Sequence, residues 1–283
     1  MNYPSLQQMQ QLVADKLAIQ KLYGDDLVMF KYSRKAMFDY MWFKRPELME
    51  CRGHVYRLST GERVVHAPRK SFNYLENDWW KDVPLNTEVR IDKKFNGYMA
   101  CATWVDGNWL VTTTGSFDSE YVKHAQYMLT GHPALIGQEN TDSTLLFEIC
   151  DSKFDPHIVA EQDGAHYLGF RTSDGNWFPH STSDSVIFIT LGEAIRFAEL
   201  SRGEGYMVYR LEGDPLYNRP CKLKSPYYIG KKMLMRATPY FKFNRLPEMW
   251  KNAPSAIDSV YTWSDWCELP EQERRTFLEH YYG

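Results

Sequence analysis

Two runs of strand-forming residues, Tyr98 to Trp104 and Trp109 to Thr114, flank the pair Asp106-Gly107. Asp and Gly tolerate the left-handed backbone of a tight hairpin turn, so this stretch is committed to two antiparallel strands. The same punctuation recurs. Cys51 to Leu58 and Arg63 to His66 flank Thr60-Gly61 as a second hairpin. Leu145 to Ile149, Tyr167 to Arg171 before Asp174-Gly175, Tyr206 to Arg210 and Cys221 to Lys224 read as further strands. The chain lacks the regular strand and long-helix alternation of a doubly wound parallel sheet.

Helical signals are inserted among these strands. Leu6, Met9, Leu12, Val13, Leu17 and Leu22 recur at helical spacing and predict a helix from Ser5 to about Tyr23, with Gly24 as the stop. Asp118 to about Leu129 reads as a helix with an Asp or Ser cap. Thr190 with Glu193 forms a capping box ahead of a short amphipathic run. Residues Leu27 to about Lys44 carry no pattern that places their elements. After about Ile229 the chain becomes a prolinated tail ending in a predicted helix, Glu271 to His280. The expected fold is therefore α+β, with antiparallel sheets, inserted helices and a small, mainly helical C-terminal module. Residues 1–228, including an N-terminal helical and hairpin segment 1–85, form the expected main domain, and residues 229–283 the module.

Composition removes several classes of function. With 33 Lys and Arg against 36 Asp and Glu, the net charge of -3 argues against a histone-like or architectural role. It leaves room for a local basic groove. The cysteines Cys51, Cys101, Cys150, Cys221 and Cys267 are widely spaced without a CxxC pair, which fits reduced thiols and neither a disulfide scaffold nor a zinc site. No basic flank with an apolar core opens the chain, and no apolar stretch approaches membrane-spanning length. A cytoplasmic protein is expected, in the host cell if the source is viral. The 9 Trp and 19 Tyr fit core and edge packing, and also base stacking.

Four places put charge at the end of an apolar strand. They are Arg90-Ile91-Asp92-Lys93-Lys94-Phe95-Asn96-Gly97, Leu145-Leu146-Phe147-Glu148, Gly203-Glu204-Gly205-Tyr206 and Cys221-Lys222-Leu223-Lys224. In a strand, Lys222 and Lys224 share a face, and two such lysines can hold a phosphate chain. Alone, each motif also fits a duller role: a solvated strand end at Lys93-Lys94, a buried ion-pair partner at Glu148.

Taken in order, the set resembles the nucleotidyltransferase motifs of covalent ligases and RNA-capping enzymes, and most closely the phage T4 RNA ligase 1-like family. Lys94-Phe95-Asn96-Gly97 fits the nucleophile motif. Phe147-Glu148, Glu204-Gly205 and Lys222-Leu223-Lys224 resemble the third, fourth and fifth motifs. Arg52-Gly53 and Pro68-Arg69-Lys70-Ser71-Phe72-Asn73 resemble the segment before the nucleophile, and Leu168-Gly169-Phe170-Arg171 a strand that packs on adenine. The resemblance spans roughly residues 50 to 225. It implies an ATP-grasp-like ligase core and an ATP-dependent RNA ligase that joins 5′-phosphate and 3′-hydroxyl ends through lysyl-AMP and an adenylylated 5′ end.

In that reading Lys94 is the nucleophile, Lys222, Lys224 and Arg52 act on the phosphates, and Asn96, Gly97, Glu148, Phe170 and Glu204 hold the nucleotide. Glu204 and Glu148 organise Mg²⁺ or Mn²⁺ or its water shell, because a hard cation prefers oxygen ligands. RNA is the implied partner, and the resemblance extends this to tRNA and to an end-healing enzyme acting upstream. Two departures bear on substrate handling. Thr114 stands where the family's Lys-Gly-Ser stretch has lysine, with Lys123 as a substitute, and Tyr98 stands where relatives often carry a small Ser. The alternatives are a DNA ligase or adenylyltransferase acting on nucleic-acid ends, and a catalytically silent nucleic-acid-binding homologue.

Overall fold

The computed structural model describes residues 3–180, 186–214 and 217–282. The chain divides into two compact units that it crosses several times. One comprises Met1–Lys70, Gly97–Asp151 and Gln162–Thr182; the other comprises Ser71–Asn96, Ser152–Glu161 and Ser183–Gly283.

The first unit opens with α1 (Leu6–Ala14), closed at its N-terminus by a capping box between Ser5 and Gln8. The helix expected to reach Tyr23 stops at Ala14. Asp15 caps it, Lys16 turns at φ 59°, and Ala18–Tyr23 is strand β1. The helical spacing of Leu17 and Leu22 misled because Leu22 is exposed, and β1 is held by backbone pairing to its neighbour. That neighbour is β2 (Leu27–Tyr32), followed by α2 (Arg34–Phe38), β3 (Arg52–Arg57) and β4 (Arg63–Val65). The four strands form one antiparallel sheet in chain order.

The other unit begins with the strands β5 (Phe72–Asn73) and β6 (Glu88–Lys93). The chain then returns to the first unit as β7 (Tyr98–Val105) and β8 (Asn108–Thr113), the expected hairpin. Its turn residues Asp106 and Gly107 sit at φ 52° and 79°, the conformation that the sequence pair permits. Next come α3 (Glu120–Leu129), β9 (Thr144–Cys150), β10 (Gly164–Arg171) and β11 (Trp177–Pro179). The order in this second sheet is β11-β10-β9-β7-β8, so the fully buried β9 runs through its centre. Phe147, Leu145 and Ile149 of β9 pack with Ala125 and Leu129 of α3 into one core. Ser119 stands at the cap position of α3 but its side chain makes no capping bond.

The second unit is completed by β12 (Val186–Thr190), α4 (Leu191–Leu200), β13 (Gly205–Tyr209) and β14 (Cys221–Lys224). Its sheet runs β12-β6-β13-β14-β5, antiparallel except for the β14–β5 pair. One face, carrying Ile91, Val208, Cys221 and Leu223, is buried against Leu191, Ala194 and Ala198 of α4. The other face is left for charge. The tail is helical, as expected: α5 (Pro226–Met235), α6 (Ala253–Asp258), α7 (Trp263–Glu268) and α8 (Glu271–Tyr282). These helices share a core around Trp250, Trp266 and Leu278 that also takes in Ile158 and Val159. Among the described residues no helix is long and apolar enough to cross a membrane. All five cysteines are free.

Candidate active site

Strand β6 ends at Lys93, and the backbone N–H of Lys94 donates to the Gly205 carbonyl at 2.9 Å, which fixes the start of the loop that follows. The Lys94 ammonium lies 3.0 Å from Glu204 Oε2. The other oxygen of that carboxylate, Oε1, lies 3.1 Å from Lys224 Nζ. Asn96 joins the group from the loop: its Nδ2 donates to Glu204 at 3.4 Å, and its Oδ1 accepts from the Val159 N–H at 3.1 Å. Glu204 is thus a buried carboxylate shared by two lysines and an amide. Burial pushes its carboxyl up, but the Lys94 and Lys224 charges outweigh that and hold it below its ordinary value.

Local chain geometry explains these positions. Gly205 has φ +126°, and a Cβ there would fall 1.9 Å from the Leu223 carbonyl oxygen. Only glycine lets β13 run that close to β14, which pairs Gly205 with Lys224 and sets Glu204 next to that pair. In β14, Cys221 and Leu223 are buried while Lys222 and Lys224 occupy the opposite, half-exposed face, as a two-residue period requires. Lys93 points away from the group and is held by Glu161 at 2.5 Å, whose other oxygen accepts from the Asn96 N–H at 3.3 Å.

In the first unit, the Gly97 N–H donates to Glu148 Oε1 at 3.1 Å. A Cβ on Gly97 would lie 2.3 Å from the Ile149 carbonyl oxygen, so glycine is required by the approach to β9. Arg52 opens β3, half-buried, beside the Cys101 thiol. Gly53, at φ +96°, brings its backbone against that of Thr114. Phe170 stacks on Phe178, with ring centroids 4.9 Å apart, and borders the α3 core. Lys123 pairs with Glu120 on the exposed face of α3.

The structure therefore brings Lys94, Asn96, Glu204 and Lys224 together, places Lys222 on the same face of the sheet as Lys224, and joins Gly97 to Glu148. Sequence reasoning missed several partners. Glu161 lies in a loop without any motif. Tyr98 does not merely fill space: its hydroxyl meets His124 Nδ1 at 2.8 Å, and His124 Nε2 meets Asp151 at 3.0 Å. Arg171, next to Phe170, is buried with Glu50 at 2.8 Å and the Ala67 carbonyl at 2.6 Å, so it anchors its strand. The separations of these pairs along the chain left no local signal to read.

Residues 50–184 match the family model described as RNA ligase. That span holds the Lys94-to-Gly97 motif and Glu148, and Glu204 and Lys224 stand outside it, Glu204 at ion-pairing distance from both Lys94 and Lys224. The chain is RNA-ligase-like over that span, just under half of its length. It is an enzyme of the ligase class. Two solved forms of an archaeal ATP-dependent RNA ligase share the fold of this ligase-like chain, each at 15% identity, with TM-scores of 0.55 and 0.56. The alignments cover 96% and 98% of this chain and 74% and 76% of theirs. No curated protein matches the sequence.

Proposed function

We propose that this ligase-class enzyme is an ATP-dependent RNA ligase that seals 5′-phosphate and 3′-hydroxyl ends through a covalent lysyl-AMP on Lys94. The observation that carries the reading is the Lys94–Glu204–Lys224 arrangement, in which one buried carboxylate positions an amine beside a second cation. In the first step the Lys94 amine, having lost a proton, forms an Nζ–P bond to the α-phosphate of ATP. The bond from that phosphorus to the bridging oxygen breaks, and pyrophosphate leaves with the electron pair. Lys222, Lys224 and Arg52 are assigned to the phosphate charge, which spreads over oxygens as the bond transfers. Glu148, Asn96, Gly97 and Phe170 are assigned to the nucleoside and its approach to the backbone.

A divalent cation is implied by this chemistry and would neutralise phosphate charge. Among the described residues no cluster of three or more His, Cys, Asp or Glu forms a cage for it. A single carboxylate is compatible with Mg²⁺, which keeps several waters and takes one or two carboxylates along with substrate phosphates. Glu148 and Glu204 are the residues assigned to hold it or its waters. Residues 1–228 would carry the adenylylation and residues 229–283 would bear on which RNA is sealed.

The test is sealing itself. Single-stranded RNA and DNA of one sequence, each with a 5′-phosphate and a 3′-hydroxyl, are incubated with enzyme, ATP and Mg²⁺. Joined or circular RNA, with little joined DNA, is the expected product. Equal sealing of DNA would move the assignment to a DNA ligase. Accumulation of adenylylated ends without joining would move it to an adenylyltransferase.

A further inference from the structure

Helix α5 follows β14 directly and carries a cation that no motif includes. Lys232 Nζ lies 5.4 Å from the centroid of the Tyr228 ring and 3.5 Å from its hydroxyl. Lys224 Nζ lies over the same ring, 4.9 Å from its centroid. One tyrosine thus seats two ammonium groups, each attracted to the π-face. Lys224 has the Glu204 carboxylate at 3.1 Å, whereas among the described residues no carboxylate lies within 4.0 Å of Lys232. Burial and then the charges of Lys224 and Arg236 press Lys232 towards its neutral form, with Lys94 contributing less. Lys224, Arg236 and Lys94 thus set positive charge around Lys232, which the Glu204 carboxylate offsets only in part. A half-buried cation held beside other cations is costly unless an anion joins it.

We propose that Lys232 positions the phosphate group that stands opposite the Lys94 amine, first the departing phosphates of ATP and then the 5′-phosphate of the RNA. This rests on the lysyl-AMP reading and extends it to a residue outside the motifs. The chemistry of in-line displacement supplies the link. When the Lys94 Nζ–P bond forms, the P–O bond to pyrophosphate breaks on the far side of the phosphorus. When the RNA 5′-phosphate oxygen then bonds to the same phosphorus, the P–Nζ bond breaks and Lys94 recovers its electron pair and a proton. The entering phosphate occupies the position the pyrophosphate left. In the final step the 3′-hydroxyl attacks the 5′-phosphate of the adenylylated end, forming a phosphodiester and releasing AMP and a proton. That step puts no phosphate opposite Lys94. Lys232 accordingly serves the first two transfers and is idle in the third.

The experiment compares the wild-type protein with Lys232→Met, which keeps the stem without the charge, and with Lys232→Arg. Pyrophosphate binding is measured by calorimetry on protein free of AMP. Labelling with ATP and sealing of pre-adenylylated RNA are measured separately. Lys232→Met is expected to weaken pyrophosphate binding about tenfold, as loss of one charge-assisted contact does, and to raise the KM for ATP similarly. Sealing of pre-adenylylated RNA stays within about twofold, and Lys232→Arg regains part of the loss. Unchanged pyrophosphate affinity overturns the proposal. So does a fall in the final sealing step as large as the fall in labelling, because that marks a residue that supports the fold. Failure of the underlying reading would show differently, as wild-type protein that takes no label, and the pyrophosphate titration would still decide the role of Lys232.

Discussion

Replacing Glu204 by Gln removes the charge that Lys94 and Lys224 share, while keeping the side chain's shape. The two N–O separations are 3.0 and 3.1 Å, and Glu204 is 4% exposed. Removing one partner of a buried ion pair typically costs about 3–5 kcal/mol, because the remaining charge is left uncompensated. Both lysines keep about a fifth of their side-chain exposure, so water screens part of that loss and the lower end, about 3 kcal/mol, applies. At roughly 2–4 °C per kcal/mol, the unfolding midpoint falls by about 6–12 °C at neutral pH. The pH dependence has a definite sign. The folded carboxyl is held below its ordinary value, so its stabilisation is complete above the unfolded pKa and is lost as pH falls through the folded one. Calorimetric scans of both proteins across pH should show a constant gap near neutrality that closes in the acid range below about pH 4. No gap at pH 7, or a gap that persists undiminished in acid, would refute the ion-pair account.

Other substitutions probe the surrounding geometry. Gly97→Ala sets a methyl 2.3 Å from the Ile149 carbonyl and should cost about 1–3 kcal/mol from overpacking, read in urea unfolding, with slower labelling. Asn96→Ala leaves the buried Val159 N–H without its 3.1 Å acceptor and should cost a similar 1–3 kcal/mol, with adenylylation reduced; unchanged stability would contradict that bond. Lys224→Ala should lower the rate of Lys94 labelling by about 10²-fold, on the scale of losing one transition-state contact. Labelling at the wild-type rate would remove Lys224 from the phosphate chemistry.

Much of this was legible in the sequence, for reasons that can be named. The Asp106-Gly107 hairpin and the Thr190–Glu193 capping box are local devices whose backbone demands are written in adjacent residues. The shared face of Lys222 and Lys224 follows from strand period alone. The glycines of Arg52-Gly53, Asn96-Gly97 and Glu204-Gly205 stand where another strand or loop leaves no room for a Cβ. What escaped is what depends on distant parts of the chain. The first helix ends early because Lys16 turns and β1 finds pairing in β2, neither of which alters apolar spacing. Glu161 reaches Lys93 from 68 residues away, and Arg171 reaches Glu50 from 121 away. Lys232 belongs to no motif, and only the fold of α5 sets its ammonium over the ring that also holds Lys224.

The central claim is that Lys94 becomes covalently adenylylated, and labelling measures it directly. Protein shown to be folded and free of bound AMP is incubated with Mg²⁺ and ATP labelled on the α-phosphate, then run under denaturing conditions beside Lys94→Ala and a parallel GTP reaction. The account predicts label from ATP that survives denaturation, disappears in Lys94→Ala, and is absent or weak with GTP. No label on the wild-type protein, or equal label on Lys94→Ala, would contradict it.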